Sequence, residues 1–386
     1  MNNIEFINDA YTKDGLRLPM VHFKSNEKNI CVIFIHGMCQ TIVDNYFATV
    51  WGNILSENDI GFLYEHNRGY SIENDILMKD GSYKRFGCMY EIFEDCVIDI
   101  DLAIDKAKEF GYKKIILIGH SYGCNKLIYY YYKRKPEIIG MILASAPDMV
   151  GLHLLRQKDY QQLIEEAKEN IDNNNPTKLL SSLIEDYMYM SSQTYYNWFN
   201  KESNLDNLPV IKNSNNWYQF ETISVPILTF SGSEETDNYL HLDLLKEKAI
   251  NCSDFEYKII GNTNHFYFGK ETDIGNLILN WIKNKFWLRK WKILSLEKKL
   301  NKRFYFMNNV ENLDTLLEYL QQEQENCFSD TNNLEQPLMD DYSYKQAKEE
   351  FDRVLGISAD KLELVSVLSG KDYYFEYPNG IKCVSS

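Results

Sequence analysis

A glycine-flanked serine motif stands between an apolar run and a helix-like stretch. The motif covers residues 119–123 and reads Gly-His-Ser-Tyr-Gly. The run at 114–118 has the composition of a buried strand, and the segment at 124–130 favours a helix. A G-x-S-x-G sequence between a strand and a helix is typical of a sharp turn that carries a nucleophilic serine. The motif therefore predicts that Ser121 is a nucleophile at the carboxyl end of a strand.

Both glycines of the motif have a steric reason. The turn is tight enough to strain the backbone of Ser121, and side chains at positions 119 and 123 would collide with the neighbouring strand and helix. The helix that begins behind Ser121 adds positive potential at its N-terminus, which favours a developing oxyanion.

Apolar runs of strand length recur on both sides of the motif. Runs that are apolar throughout fit central parallel strands covered on both faces, and helical periodicity between them appears at 91–110 and 274–282. Before these runs, 4–7 and 18–23 flank a turn at 13–15, which predicts an opening hairpin. We therefore expect an α/β fold with a mainly parallel sheet and helices on both faces. The apolar runs lie at 30–35, 60–64, 141–144, 226–230 and 255–260.

The strand pattern disappears between residues 148 and 222, where helix formers, charges and aromatic residues dominate. We expect a helical insertion at 148–222 that acts as a lid over Ser121. Its aromatic side chains either line an acyl pocket or form the insertion's own core, and the second interpretation is favoured for any single residue. The α/β core is then divided into 1–147 and 223–285.

The remaining residues, 286–386, form a small C-terminal extension with a different pattern. Residues 286–303 make a basic, aromatic-bearing stretch that would suit a membrane surface or an acidic protein partner. A connecting helix with a solvated basic face is the favoured interpretation. Beyond a polar linker, we expect a helix at 344–355 and a hairpin that begins at 373–377.

Composition excludes several classes of function. The chain has 386 residues, a formal net charge of -15 and a sequence pI of about 5.0, so a nucleic-acid partner is not expected. No apolar stretch approaches the ~20 residues that span a bilayer, and no secretory signal is visible at the start. The 8 cysteines form no C-x-x-C pair, so we expect reduced thiols and a cytoplasmic protein.

A serine hydroxyl needs a base within hydrogen-bond reach and an acid that orients the base. His265 follows the last predicted strand and is the candidate base; His241, also downstream of the insertion, falls within a predicted helix at 240–248. The acid should follow the preceding strand, where Glu235 is the first choice and Asp237 the alternative acid. Glu234 ranks third, and Asp148, at the end of an earlier strand, is a more distant candidate.

An oxyanion hole needs two N–H donors. One comes from Tyr122, the residue after the nucleophile, and the second is expected from the backbone of Met38, after an early strand. His36 in the same loop is expected to support the loop rather than to transfer protons. Cys39 and Cys124 lie close to the predicted site, but a nucleophilic role for either is disfavoured.

These motifs together resemble the α/β-hydrolase superfamily. The resemblance rests on the strand that ends in His36-Gly37, the motif at 119–123, the Gly232 loop and Asn264-His265. It covers about residues 1 to 285. The stretches at 90–96, 146–151 and 265–270 also look like bacterial serine esterases with a helical lid.

The resemblance implies a cofactor-free serine hydrolase with Ser121 as nucleophile, His265 as base and an acid in the Gly232 loop. Relatives usually carry aspartate as the acid, whereas this chain offers Glu235. The leading hypothesis is hydrolysis of a small-molecule carboxylic ester or thioester through an acyl-enzyme. The alternatives are an acyltransferase that uses the same triad with a non-water acceptor, and a non-catalytic binding protein of the same fold.

Overall fold

A computed structural model of the chain divides it into two units, Met1–Leu294 and Ser295–Ser386. The backbone and most side chains are described in the first unit, and three strands are described in the second. The described residues are 3–212, 214–235, 239–287, 363–368, 372–376 and 382–385.

The first unit is built around an eight-stranded sheet with the order β1-β2-β4-β3-β7-β8-β9-β10. From β4 to β10 every neighbouring pair is parallel, and β1 and β2 add an antiparallel edge. The mainly parallel sheet expected from the sequence is confirmed. The strands are β1 Ile4–Ile7, β2 Met20–Phe23, β3 Ile30–Ile35, β4 Ile60–Glu65, β7 Lys114–His120, β8 Gly140–Ala144, β9 Ile227–Gly232 and β10 Phe255–Ile260.

Helices cover both faces of the sheet. The apolar faces of α1 and α8 pack on one side against Val32 and Phe34, and those of α2, α3 and α7 pack on the other against Ile33 and Ile35. Successive side chains of a strand point to opposite faces, so a wholly apolar strand such as β3 is buried on both. The helices are α1 Tyr46–Glu57, α2 Cys96–Glu109, α3 Tyr122–Arg134, α7 Leu242–Lys248 and α8 Glu271–Ile282.

Between β8 and β9 the chain forms the helical insertion, with α4 Met149–Arg156, α5 Tyr160–Asp172 and α6 Ser192–Phe199. The insertion packs directly on the core, because the indole of Trp198 lies 4.5 Å from the ring of Tyr122 in α3. Asn207 also exchanges hydrogen bonds with Asn125, one turn further along α3.

Some boundaries differ from the sequence prediction. The predicted helix at 91–110 begins only at Cys96, after a short 3₁₀ turn, because the backbone of Ile92 is extended. His241 precedes α7 instead of lying within it, and its side chain is exposed. Helix α1 and the two-stranded hairpin β5 Asn74–Leu77 and β6 Tyr83–Phe86 were not predicted.

The second unit contains an antiparallel three-stranded sheet in the order β11-β12-β13. The predicted hairpin strand at 373–377 corresponds to β12. Most of the basic stretch at 286–303 and the predicted helix at 344–355 lie outside the described residues. The strands are β11 Glu363–Leu368, β12 Asp372–Glu376 and β13 Lys382–Ser385. None of the helices in the described part of the chain is long and apolar enough to cross a bilayer.

Candidate active site

Ser121 occupies a strained turn between β7 and α3. Its φ of 55° and ψ of −128° lie outside the regions that residues with a side chain normally adopt. Its N–H donates to the carbonyl of Ala144 at the end of β8, at 2.9 Å, which ties the turn to the neighbouring strand. The residue is 9% exposed, so the hydroxyl sits in a nearly closed site.

The two glycines of the motif are required by close backbone approach. A Cβ at Gly119 would lie 2.7 Å from the backbone of Gly123 and Cys124 at the start of α3. A Cβ at Gly123 would lie 2.2 Å from the carbonyl oxygen of Ile35 in β3. The expected collisions with the helix and the strand are therefore confirmed.

His265 lies in the loop between β10 and α8, residues 261–270, here called the histidine loop. Its Nδ1 atom lies 2.7 Å from Oε2 of Glu235. The imidazole side chain is 25% exposed, whereas the Glu235 side chain is only 1% exposed. A buried carboxylate and a partly open imidazole are the arrangement in which the acid orients a base that faces substrate.

Glu235 lies in the acid loop, residues 232–235, directly after β9. Its Oε1 atom accepts hydrogen bonds from the backbone N–H of Gly232 and the hydroxyl of Ser145, each at 2.6 Å. Glu234, the neighbouring candidate, is exposed. Asp237, the alternative acid, lies outside the described residues.

Asp148, the more distant candidate for the acid, forms hydrogen bonds within the helical insertion. Its carboxylate caps α4 through the N–H of Gly151 and accepts hydrogen bonds from the N–H groups of Ile211 and Lys212. Burial raises the pKa of Asp148, and the three backbone donors oppose that increase. The residue holds two ends of the helical insertion together.

His120 connects the serine turn to the histidine loop. Its Nε2 donates to the backbone carbonyl of His265 at 2.9 Å, and the two imidazole rings lie 4.7 Å apart. Burial lowers the pKa of His120 well below its ordinary value, so the ring is neutral near pH 7. The residue next to Ser121 thus fixes the backbone position of His265.

The oxyanion loop, residues 36–40, approaches Ser121 from the end of β3. A Cβ on Gly37 would lie 3.0 Å from the Ser121 Cβ. Gln40 shapes this loop, because its Oε1 accepts from the N–H of Gly37 at 3.0 Å. The Met38 N–H makes no backbone hydrogen bond in the described part of the chain, and the Tyr122 N–H lies in the first turn of α3, where helix geometry provides no carbonyl partner.

His36 is fully buried beneath the oxyanion loop. Its Nδ1 donates to the carbonyl of Gly37 at 2.7 Å, and its Nε2 accepts from the N–H of Asn67 at 3.1 Å. Burial lowers the pKa of His36 well below the ordinary value, so the imidazole is neutral. These contacts agree with the supporting role expected for His36.

A buried ion pair lies behind the serine turn. Lys126, in α3, donates to Oε1 of Glu91 at 2.5 Å and to Oδ1 of Asn67 at 2.9 Å. Burial raises the pKa of Glu91, and the Lys126 ammonium opposes that increase. Because the Asn67 N–H also donates to His36, this network links the oxyanion loop to the helix that carries Ser121.

The two nearby cysteines are buried. Burial raises the pKa of the Cys124 thiol well above its ordinary value, and its sulfur lies against the carbonyls of Gly119 and Ala144. A thiol held protonated is a poor nucleophile. The Cys39 sulfur lies 3.5 Å from that of Met188 in the helical insertion. Within the described residues, no group of three or more His, Cys, Asp or Glu side chains is arranged to hold a metal ion.

Sequence reasoning missed four residues of the site: Gln40, His120, Ser145 and Tyr267. Ser145 directly follows β8, and parallel strands end at one edge of the sheet, so its position was a usable signal. Tyr267 lies two residues after His265, and its hydroxyl oxygen lies 2.5 Å from that of Ser145. The hydrogen bonds of His120 to Gln40 and to His265 join residues that are far apart in the sequence, so spacing alone could not predict them.

Several solved structures share this architecture. The α/β hydrolase GrgF from Penicillium sp. sh18 matches with a TM-score of 0.53 and 16% sequence identity, over 73% of this chain and 98% of that one. The protein has the α/β-hydrolase fold.

Two further α/β-hydrolase-like matches come from prokaryotes. A thermostable carboxyl esterase from Bacillus coagulans matches with a TM-score of 0.50 and 10% identity, over 74% of this chain and 99% of that one. An esterase from Pyrococcus furiosus matches with a TM-score of 0.50 and 14% identity, over 73% and 91% of the two chains.

Comparison of the sequence with protein families gives one match. Residues 86–207, which include the serine motif and α3, match a family described as "Protein of unknown function (DUF1749)". No curated protein matches the sequence significantly. Within the α/β-hydrolase fold, the order Ser121, Glu235, His265 along the chain is the order serine, acid, histidine of this architecture.

Proposed function

We propose that the protein is a serine hydrolase that cleaves a carboxylic ester or thioester through an acyl-enzyme. The observation that carries the proposal is the 2.7 Å hydrogen bond between His265 and Glu235, in loops that follow the last two strands of the sheet. The same histidine loop is tied to the serine turn through His120. A surface histidine without a catalytic role needs neither connection.

In the proposed reaction, Nε2 of His265 takes the proton of the Ser121 hydroxyl as the oxygen attacks the carbonyl carbon. The Nδ1–H of His265 donates to Glu235, which stabilises the imidazolium that forms. His265 then gives its proton to the leaving alcohol or thiol. Water attacks the acyl-enzyme with the same base, which releases the acid and restores Ser121.

The developing oxyanion is proposed to accept hydrogen bonds from the N–H groups of Met38 and Tyr122. The helix α3 begins at Tyr122, so its N-terminal dipole adds to these donors. The contacts of Gln40 and His36 with Gly37 support this assignment, because they hold the oxyanion loop before substrate binds.

The helical insertion is proposed to act as the lid. Its buried aromatic residues Tyr195, Trp198 and Phe199 pack with Tyr122 in one apolar cluster. This arrangement favours the interpretation that these three form the insertion's own contact with the core.

Two of the structural matches are described as esterases, which is consistent with ester hydrolysis by this chain. The cysteines of the described residues that are free thiols are Cys31, Cys39, Cys88, Cys96, Cys124 and Cys252. Free thiols accord with a reducing compartment, and we propose the cytoplasm as the location.

The direct test is turnover of p-nitrophenyl esters of increasing acyl length and of an acyl thioester by the wild type and Ser121→Ala. We expect turnover by the wild type and a loss of about 10³-fold or more in the variant. Ser231→Ala is the matched control, because Ser231 is also a buried serine near a strand end, yet its hydroxyl has no partner in the described residues. Absence of wild-type turnover on every ester and thioester, or equal turnover in Ser121→Ala, would contradict the proposal.

A further inference from the structure

Glu235, the acid of the proposed triad, is held by hydrogen bonds to residues outside the triad. Only Oε2 of Glu235 faces His265, and Oε1 lies 2.6 Å from the hydroxyl of Ser145. The Ser145 hydroxyl in turn lies 2.5 Å from the hydroxyl of Tyr267. Ser145 and Tyr267 are both fully buried.

The chemistry of the groups sets the direction of these hydrogen bonds. An ionised carboxylate only accepts, so the Ser145 hydroxyl donates its single proton to Glu235. The Ser145 oxygen then accepts from Tyr267, whose hydroxyl proton is retained because burial raises the pKa of this tyrosine well above its ordinary value. The order of donation is Tyr267 to Ser145 to Glu235.

Both residues are among the eleven non-glycine residues of the described chain that have a positive φ. Ser145 has a φ of 53° and Tyr267 a φ of 58°, in the left-handed region that residues with a side chain seldom adopt. Ser121 is strained in the same sense, with a φ of 55°. Such strain persists only where surrounding structure enforces it, and it is concentrated at functional sites.

The two residues also connect separate parts of the site. Ser145 follows β8, and its N–H donates to the carbonyl of Phe230 in β9 at 2.8 Å. Tyr267 belongs to the histidine loop, and its ring packs against Phe47 and Trp51. His265 and Tyr267 belong to the same histidine loop, so the chain of contacts from His265 through Glu235 and Ser145 to Tyr267 begins and ends in that loop.

We propose that Ser145 and Tyr267 are positioning residues that hold the Glu235 carboxylate in the orientation that His265 requires. The inference rests on the proposed function, since Glu235 acts as the triad acid there. Glutamate has one more rotatable bond than aspartate, so its carboxylate has more orientations to lose. The Gly232 N–H and the Ser145 hydroxyl restrain Oε1 and leave Oε2 for the imidazole.

The first test uses Ser145→Gly. Glycine accepts the positive φ without strain, so this variant removes the hydroxyl and relieves the local backbone. The loss of two buried hydrogen bonds should lower the melting temperature while the protein stays folded. We expect a kcat that is about 10- to 100-fold lower and a KM that changes by less than about twofold. A purely structural role for Ser145 predicts no loss of kcat, and that result would overturn the inference.

The second test is a double-mutant cycle of Ser145→Ala and Tyr267→Phe, measured as kcat/KM. If Tyr267 acts through Ser145, Tyr267→Phe lowers kcat/KM in the wild type but has no further effect in Ser145→Ala. If the two substitutions lower kcat/KM by independent factors that multiply in the double variant, Tyr267 does not act through Ser145. Matched controls are Ser231→Ala and Tyr195→Phe, because Tyr195 is a buried tyrosine whose hydroxyl contacts His153 inside the helical insertion.

A readout without turnover separates this inference from the proposed function. The proton that His265 shares with Glu235 should give a downfield resonance in the ¹H NMR spectrum, identified by its absence in His265→Gln. We expect the resonance to shift or vanish by exchange in Ser145→Gly and to remain in Ser231→Ala. If the wild type shows this pattern of resonances but hydrolyses no ester or thioester, only the proposed function is contradicted. If the resonance is unchanged in Ser145→Gly, the inference about Ser145 and Tyr267 is contradicted.

Discussion

The Oε2 atom of Glu235 lies 2.7 Å from Nδ1 of His265, and the Glu235 side chain is almost fully buried. We expect Glu235→Gln to lower kcat by about 10³- to 10⁴-fold, because an amide neither stabilises the imidazolium nor enforces the required tautomer. Thermal melting should show that the fold persists. The measurement is steady-state hydrolysis of the best p-nitrophenyl ester.

Two controls make the Glu235 prediction specific. Glu234→Gln changes the adjacent, exposed carboxylate, and Asp237→Asn changes the alternative acid. Both should retain activity within about twofold of the wild type if Glu235 is the acid that orients His265. A collapse of kcat in Asp237→Asn with normal kcat in Glu235→Gln would reassign the acid.

Gly123→Ala should damage both the serine turn and the oxyanion loop. The new Cβ would lie 2.2 Å from the carbonyl oxygen of Ile35, directly before His36. We expect a loss of about 1–3 kcal/mol in the free energy of unfolding and a fall of about 100-fold in kcat/KM. Gly261→Ala is the control, because nothing lies within 4 Å of its Cβ position. Full activity of Gly123→Ala would show that the turn has more room than its geometry indicates.

The buried pair of Lys126 and Glu91 should be more important for stability than exposed pairs. Their side chains are 0% and 1% exposed, so Lys126→Met leaves a buried carboxylate without its partner. We expect a loss of about 3–5 kcal/mol by urea denaturation, and partial recovery in the double variant Lys126→Met/Glu91→Leu. Lys168→Met, which breaks an exposed pair with Asp172, should cost less than about 1 kcal/mol. Similar losses in both single variants would refute the argument.

His22 should make stability depend on pH. Burial, with Lys28 and Lys24 adding, lowers the pKa of His22 to about 4, whereas an unfolded chain has a histidine pKa near 6.5. Between these values the unfolded state binds the additional proton, so the stability contributed by neutral His22 is lost as pH falls through that window.

The measurement for His22 is the free energy of unfolding at about pH 7.5 and at about pH 5. On going from the higher to the lower pH, this free energy should fall by about 2 kcal/mol less in His22→Gln than in the wild type. In His241→Gln, which changes an exposed histidine, it should fall by as much as in the wild type. An identical acid loss in His22→Gln would show that other groups cause it.

Strong local patterns made most of the sheet predictable. Strands such as β3 and β7 are apolar throughout, and the motif around Ser121 marks the turn between β7 and α3. Helix α1 was not predicted. Its position depends on contacts with α8, which is more than 200 residues away in the chain.

The acid and its supports depend on tertiary contacts that sequence spacing does not contain. The sequence offers Glu234, Glu235 and Asp237 within four residues, and their spacing does not show which of them reaches His265. Ser145 and Tyr267 are 122 positions apart, so only the folded sheet edge brings them together.

Ser121 is proposed to be a nucleophile that His265 activates. The most direct measurement is labelling with a fluorophosphonate, followed by intact-protein mass spectrometry and peptide mapping. We expect one adduct on Ser121 in the wild type, no adduct in Ser121→Ala and much slower labelling in His265→Gln. A folded wild type that takes up no label, or an adduct on another residue that persists in Ser121→Ala, would contradict it.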